Sequence, residues 1–266
     1  MLKRIFTIVL LLPFWLALHA HDLYLLPDSF HVKTGALLKV GFHNGDSFPE
    51  SEVAPQLARL QDAQLIGQNG KSMVQNLRIS SKETLGTVKI PGMGSFLLSV
   101  RTVPNLIELA PDKFLDYLKE EGLSDVIEWR AKHQETGKPG RERYTKYAKS
   151  LLQSGSSDAF YQHSLGFPIE IIPLADPYTL QAGGTLPVLV MSQGKPAAGL
   201  QLEAAWAFHE QHKTIVIGRT DADGNISVPI AKAGIWRFHT LRMERCMDTA
   251  VADWESSWAS LTFEVR

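Results

Sequence analysis

The residue with the greatest chemical reach is His21, in the run Ala20-His21-Asp22-Leu23-Tyr24-Leu25. Ahead of it, Met1-Leu2-Lys3-Arg4 is a short basic segment, and Ile5 to Leu18 is an apolar run broken by Pro13. That run falls short of the ~20 apolar residues a spanning helix needs, so residues 1–20 read as a secretory signal peptide with the small Ala20 at the cleavage point. Cleavage there makes His21 the first residue and exposes its α-amine. An α-amine titrates at about 7.7–8 and an imidazole at about 6.5, so both offer a lone pair near neutral pH. On one residue they chelate a single ion, and such nitrogen donors suit copper, nickel or zinc. The plain alternative is that His21 is a passenger at a frayed terminus.

Two further histidines could complete such a site. His43 lies on a strand leading into the Asn44-Gly45 turn, and His239 ends a strand beside Arg242, Glu244 and Arg245. Strand ends gather at the poles of a sandwich, so His21, His43 and His239 form the expected metal constellation. His209 and His212 share a face only if they occupy a turn. The one cysteine, Cys246, stands near Met243 and Met247; it reads as a buried thiol, with a soft Cu(I) site as the alternative. Thr220-Asp221-Ala222-Asp223-Gly224-Asn225 resembles the start of a calcium loop. However, Ile226 stands where that loop requires glycine and Lys232 where it requires glutamate, so a β-turn is expected. No nucleophile elbow, phosphate loop or dinucleotide fingerprint is present, and no carboxylate pair is positioned for glycoside chemistry.

Composition narrows the class. Hydrophobic residues make up 44% and charged residues 21% of the 266-residue chain, the balance of a folded soluble protein. The formal charge is −1, and losing Lys3 and Arg4 takes it to −3, with no basic groove that would track nucleic acid. One cysteine permits no intrachain disulfide and forms no lipobox, and no second long apolar run would anchor the mature chain to a membrane. A bacterial periplasmic or secreted location fits these facts.

The elements that must position these residues are mostly strands. Residues 21–105 hold short apolar runs at Leu23–Leu26, Leu37–Phe42, Thr87–Ile90 and Ser95–Val100, punctuated by Asn44-Gly45 and Asn69-Gly70. Residues 106–158 change character. Pro111 suits a first helical turn, Phe114, Leu115 and Leu118 follow at helical spacing, and Gly122 stops the helix. Ser124 is placed to cap a second helix through Trp129, and Arg141 to Leu152 reads as a basic, amphipathic third helix. Strand patterns return over 167–266, at about the size of an Ig-type domain. The expected fold is mainly β: two β-sandwich, Ig-like domains with a helical insertion between them.

The mature start His21-Asp22-Leu23-Tyr24-Leu25 resembles the opening of the DUF4198, or NikM-like, family. So do Gly166 to Pro177, Gly194-Lys195-Pro196, Thr220 to Gly224, Ala233-Gly234-Ile235-Trp236, His239 and Asp253 to Trp258. The similarity runs over nearly the whole mature chain. It implies a secreted β-sandwich protein that serves as a periplasmic accessory to nickel or cobalt uptake, with copper the further candidate metal and a metal-uptake membrane complex as partner. Two other readings stand beside it: a non-enzymatic Ig-like module for protein or glycan, and a copper oxidase built on the N-terminal histidine.

Overall fold

Each short apolar run in the sequence is a strand in the computed structural model, which describes residues 21–266. The expected signal peptide lies outside the described residues. A four-stranded sheet has the order Leu23–Pro27, Leu37–Asn44, Glu83–Lys89, Gln75–Ser80. A ten-stranded sheet runs Gln211–Arg219, Gln201–Phe208, Gly234–Arg245, Trp254–Val265, Gly140–Ser154, Gly94–Thr102, Leu60–Gly67, Gly70–Met73, with His31–Val32 and Asn105–Leu109 also paired to Gly140–Ser154. The third sheet joins Ile169–Pro173, Gly184–Ser192, Lys195–Pro196 and Asn225–Ile230. The fold is thus mainly β and sandwich-like.

The expected third helix is a strand. Gly140–Ser154 is 15 residues long and pairs in parallel with Trp254–Val265 and antiparallel with Gly94–Thr102. Its tyrosines, Ala148 and leucines happen to repeat at helical spacing because both faces of the strand are buried, which erases the usual alternation. Ala148 and Leu152 enter one core with Leu25, Val40 and Leu98, while Leu151 enters another with Ile171, Val188 and Phe238. The first and third sheets therefore lie against opposite faces of the ten-stranded sheet, and both sandwich layers share it. Its basic residues are not a solvated helix face. Arg141 pairs with Asp253 at 2.8 Å and Arg143 with Glu255 at 2.8 Å, on the parallel neighbour.

Within 106–158, helix therefore occupies only α1, Pro111–Glu120, and α2, Ser124–Lys132. Pro111 stands in the first turn of α1, where its missing N–H costs nothing, and Gly122 terminates the segment at a φ of 67° that its lack of a Cβ permits. Ser124 opens α2 but makes no side-chain cap. The helices dock: Phe114, Leu118, Leu123 and Val126 pack against Leu241, Met243, Trp254 and Trp258. Full burial of Phe114 and Leu118 stabilises this docking by about 1.5–3 kcal/mol each. Among the described residues, no helix is long and apolar enough to cross a membrane.

Candidate functional site

The chain enters the fold through the strand Leu23–Pro27, whose backbone is pinned from below. Ser260 donates to the Leu23 carbonyl and Thr262 to the Leu25 carbonyl, each at 2.6 Å. The Lys146 ammonium donates to the His21 carbonyl. Pairing of Leu23 with Asn44 sets the loop after Asn44 beside His21, and the Gly45 N–H donates to the Asp22 carbonyl at 3.1 Å. A Cβ on Gly45 would meet the Glu50 carbonyl at 2.6 Å, so the tight return of this loop requires glycine.

This framework groups His21 with two carboxylates. His21 Nδ1 lies 3.1 Å from Asp46 Oδ2 and 3.5 Å from Glu52 Oε2. One ligand atom from each of the three residues falls within 4.8 Å of the others, and among the described residues no other such histidine, cysteine or carboxylate group occurs. Glu52 is held by the Asp46 N–H, which donates to its Oε1 at 3.1 Å. His21 is partly buried, whereas the two carboxylates face solvent.

Beneath His21 is a buried charge network. Asp22 receives Arg237 at 2.7 Å and His239 Nδ1 at 3.1 Å; Arg237 also reaches Glu203 at 2.6 Å, and His239 Nε2 reaches Glu121 at 3.1 Å. Burial alone would lower the His239 pKa, but Asp22 and Glu121 on either side push it up to about 9, so the ring is an imidazolium at neutral pH. Burial alone would raise Asp22, but His239, Arg237 and Lys146 outweigh it and hold the carboxyl below its ordinary range. Burial lowers Lys146, opposed by Tyr144 and Asp22.

The three histidines expected to converge have different partners. His239 spends both ring nitrogens on Asp22 and Glu121 and carries a proton on each, which leaves no lone pair for a metal. His43 stacks on Tyr24 with ring centroids 5.4 Å apart and approaches Glu83 at 3.3 Å. Burial drives its pKa down to about 4, so it is neutral, and its approach to Glu83 is not an ion pair. Only His21 joins a donor cluster. The sulfur trio does not form either: Cys246 and Met243 are buried, while Met247 is 95% exposed. The turn at Asp221 is the Asx turn its sequence predicts, with the Asp221 carboxylate accepting from the Asp223 and Asn225 N–H groups at 3.0 and 2.8 Å.

A β-sandwich protein with an ionic cluster at its first strand is the class this arrangement defines. Residues 18–244 match the family described as a domain of unknown function, DUF4198, and the chain belongs to that family. No curated protein matches. Among solved structures, the D0–D1 domain of intimin is 13% identical, covering 91% of this chain and 97% of that one at a TM-score of 0.22. The adhesin InvE of Yersinia pseudotuberculosis is 11% identical, covering 91% of this chain and 58% of that one at 0.24. A DUF4785 family protein of Legionella pneumophila is 13% identical, covering 81% and 50% at 0.24.

Proposed function

We propose that this protein binds a divalent transition-metal ion through His21, Asp46 and Glu52, in the bacterial periplasm, as an accessory to nickel, cobalt or copper uptake. The observation that carries the reading is the convergence of one imidazole and two carboxylates within 4.8 Å. Borderline nitrogen and hard oxygen donors together suit divalent nickel, cobalt, zinc or copper better than soft Cu(I). Two carboxylates near solvent also give an approaching cation a favourable field. Removal of residues 1–20 adds the α-amine of His21 as a second nitrogen on the same residue. The implied partner is a membrane complex that receives the ion.

The test is calorimetric titration of the periplasmic form, whose first residue is read from its intact mass. One site per chain is expected for Ni²⁺, Co²⁺ or Cu²⁺, weakening as pH falls because protons compete for the same lone pairs. His21→Ala should abolish binding, and Asp46→Asn with Glu52→Gln should weaken it at least about tenfold. Keeping Ala20 ahead of His21 should weaken it as well, since the amine becomes an amide. Undiminished affinity in His21→Ala sinks the reading.

A further inference from the structure

Alternate carbonyls along the start of the first strand are each held by a side chain of the sheet beneath. Thr262 holds Leu25, Ser260 holds Leu23, and the Lys146 ammonium holds His21. The third anchor differs from the other two. Lys146 stands on the central strand Gly140–Ser154, is 6% exposed, and places its ammonium 5.3 Å from the centre of the Tyr144 ring and 5.2 Å from that of Trp258. Taking an ammonium out of water is expensive, and a neutral hydroxyl holds the two neighbouring carbonyls without that cost. Chain ends fray unless they are tied down. Once residues 1–20 are removed, His21 is such an end, and Lys146 ties it down from inside the fold.

What the anchor fixes is the His21 backbone. Its carbonyl oxygen is engaged by Lys146, so the donors left on this residue are the backbone nitrogen and the ring. Nδ1, the ring nitrogen nearer the backbone, is the one that faces Asp46 Oδ2 at 3.1 Å and Glu52 Oε2 at 3.5 Å. In a chain that begins at His21, the α-amine and Nδ1 hang from the same Cα. Fixing that backbone fixes both nitrogens against the two carboxylates.

We propose that Lys146 is the positioning residue of the metal group, holding the His21 backbone so that the α-amine and Nδ1 meet one ion together with Asp46 and Glu52. The assignment rests on the metal reading above, and it has a sign of its own. Lys146 is a positive charge beside the group, so its removal would, through electrostatics alone, tighten the binding of a cation. Loss of positioning loosens it. The test is calorimetric titration with Ni²⁺ or Cu²⁺, whichever the parent binds more tightly. Four chains are compared: beginning at His21 or keeping Ala20, each with and without Lys146→Met. In the chain that begins at His21, Lys146→Met should weaken binding about tenfold or more, as the loss of groups that orient metal ligands does. In the chain that keeps Ala20, the same substitution should change affinity by less than about threefold, because the amine it positions is already an amide. Equal losses in the two chains mean a structural effect that is merely additive, and overturn the assignment. Unchanged or tighter binding in the chain that begins at His21 overturns it too. Should Lys146→Met not fold, Lys146→Gln, uncharged and one bond shorter, goes through the same cycle under the same criteria. A parent that binds neither ion overturns the metal reading and this assignment with it; equal losses in a parent that binds overturn this assignment alone.

Discussion

Glu170 is the residue whose loss should be felt most sharply. It is 1% exposed and accepts five hydrogen bonds: from Lys149 Nζ at 2.8 Å, Ser164 Oγ at 2.6 Å, and the N–H groups of Leu165, Gly166 and Phe167 at 2.9, 2.7 and 3.1 Å. It thus ties the loop before Ile169–Pro173 to the central strand. Burial opposes its charge, but Lys149 and the remaining donors win and hold its pKa below the ordinary value. Glu170→Ala strands a buried ammonium on Lys149, which is 3% exposed, and takes the acceptor from the N–H groups of Leu165 and Phe167, while the Gly166 N–H keeps Ser164 Oγ at 3.3 Å. Breaking a buried pair from one side costs about 3–5 kcal/mol, and the orphaned N–H groups place this case at the upper end. Lys149→Met leaves Glu170 with four of its five donors, so its charge stays solvated by the protein and the loss should be about 1–3 kcal/mol. The assay is urea unfolding at neutral pH, comparing midpoints at unchanged slope. Because the folded pKa is depressed, this stability is present above the unfolded carboxylate value and is lost as pH falls through the folded one. Equal losses in the two variants, or a larger loss in Lys149→Met, would refute the asymmetry.

Burial raises the pKa of Glu142 to about 7 despite hydrogen bonds from Ser256 and Tyr117, so the fold favours its neutral form. Its contribution is complete below the unfolded value near 4.5 and fades as pH rises from there through 7; Glu142→Gln should lie within about 1 kcal/mol of the parent at pH 5 and exceed it by about 3 kcal/mol at pH 8 in thermal melts analysed at both pH values. Gly140→Ala should destabilise by about 1–3 kcal/mol in urea, because the new methyl would lie 2.2 Å from the fully buried ring of Phe114; an unchanged midpoint would mean that α1 shifts at no cost.

The strands were legible because their apolar runs end at turn residues with a stated job, such as Asn69-Gly70 before Gly70–Met73. Both helices were legible from Pro111, Gly122 and the spacing of Phe114 and Leu118. Gly140–Ser154 was not, since a strand buried on both faces loses period two, and Arg141, Arg143 and Lys149 find their ion-pair partners at Asp253, Glu255 and Glu170, more than a hundred residues away in two of the three cases. His21 was visible as a potential ligand. Asp46 could have been found by extending the register of Leu23 opposite Asn44 by two residues, but Glu52 reaches the group through a loop that no spacing predicts. His239 looked like a ligand in sequence because its clamps, Asp22 and Glu121, sit one at each end of long separations.

The parallel pairing of Gly140–Ser154 with Trp254–Val265 has a consequence in time. The central strand emerges during synthesis more than a hundred residues before the strand beside it. Until the last twelve residues of that pairing have been made, the shared sheet stops at its middle and both of its apolar faces stand open. The start of the folded chain waits on the same event, because Leu23 and Leu25 are anchored by Ser260 and Thr262, 237 residues later in each case. The local pairing of Leu23 with Asn44 can bring His21 to Asp46 early, but the strand that carries it gains these two anchors only once Ser260 and Thr262 have been made.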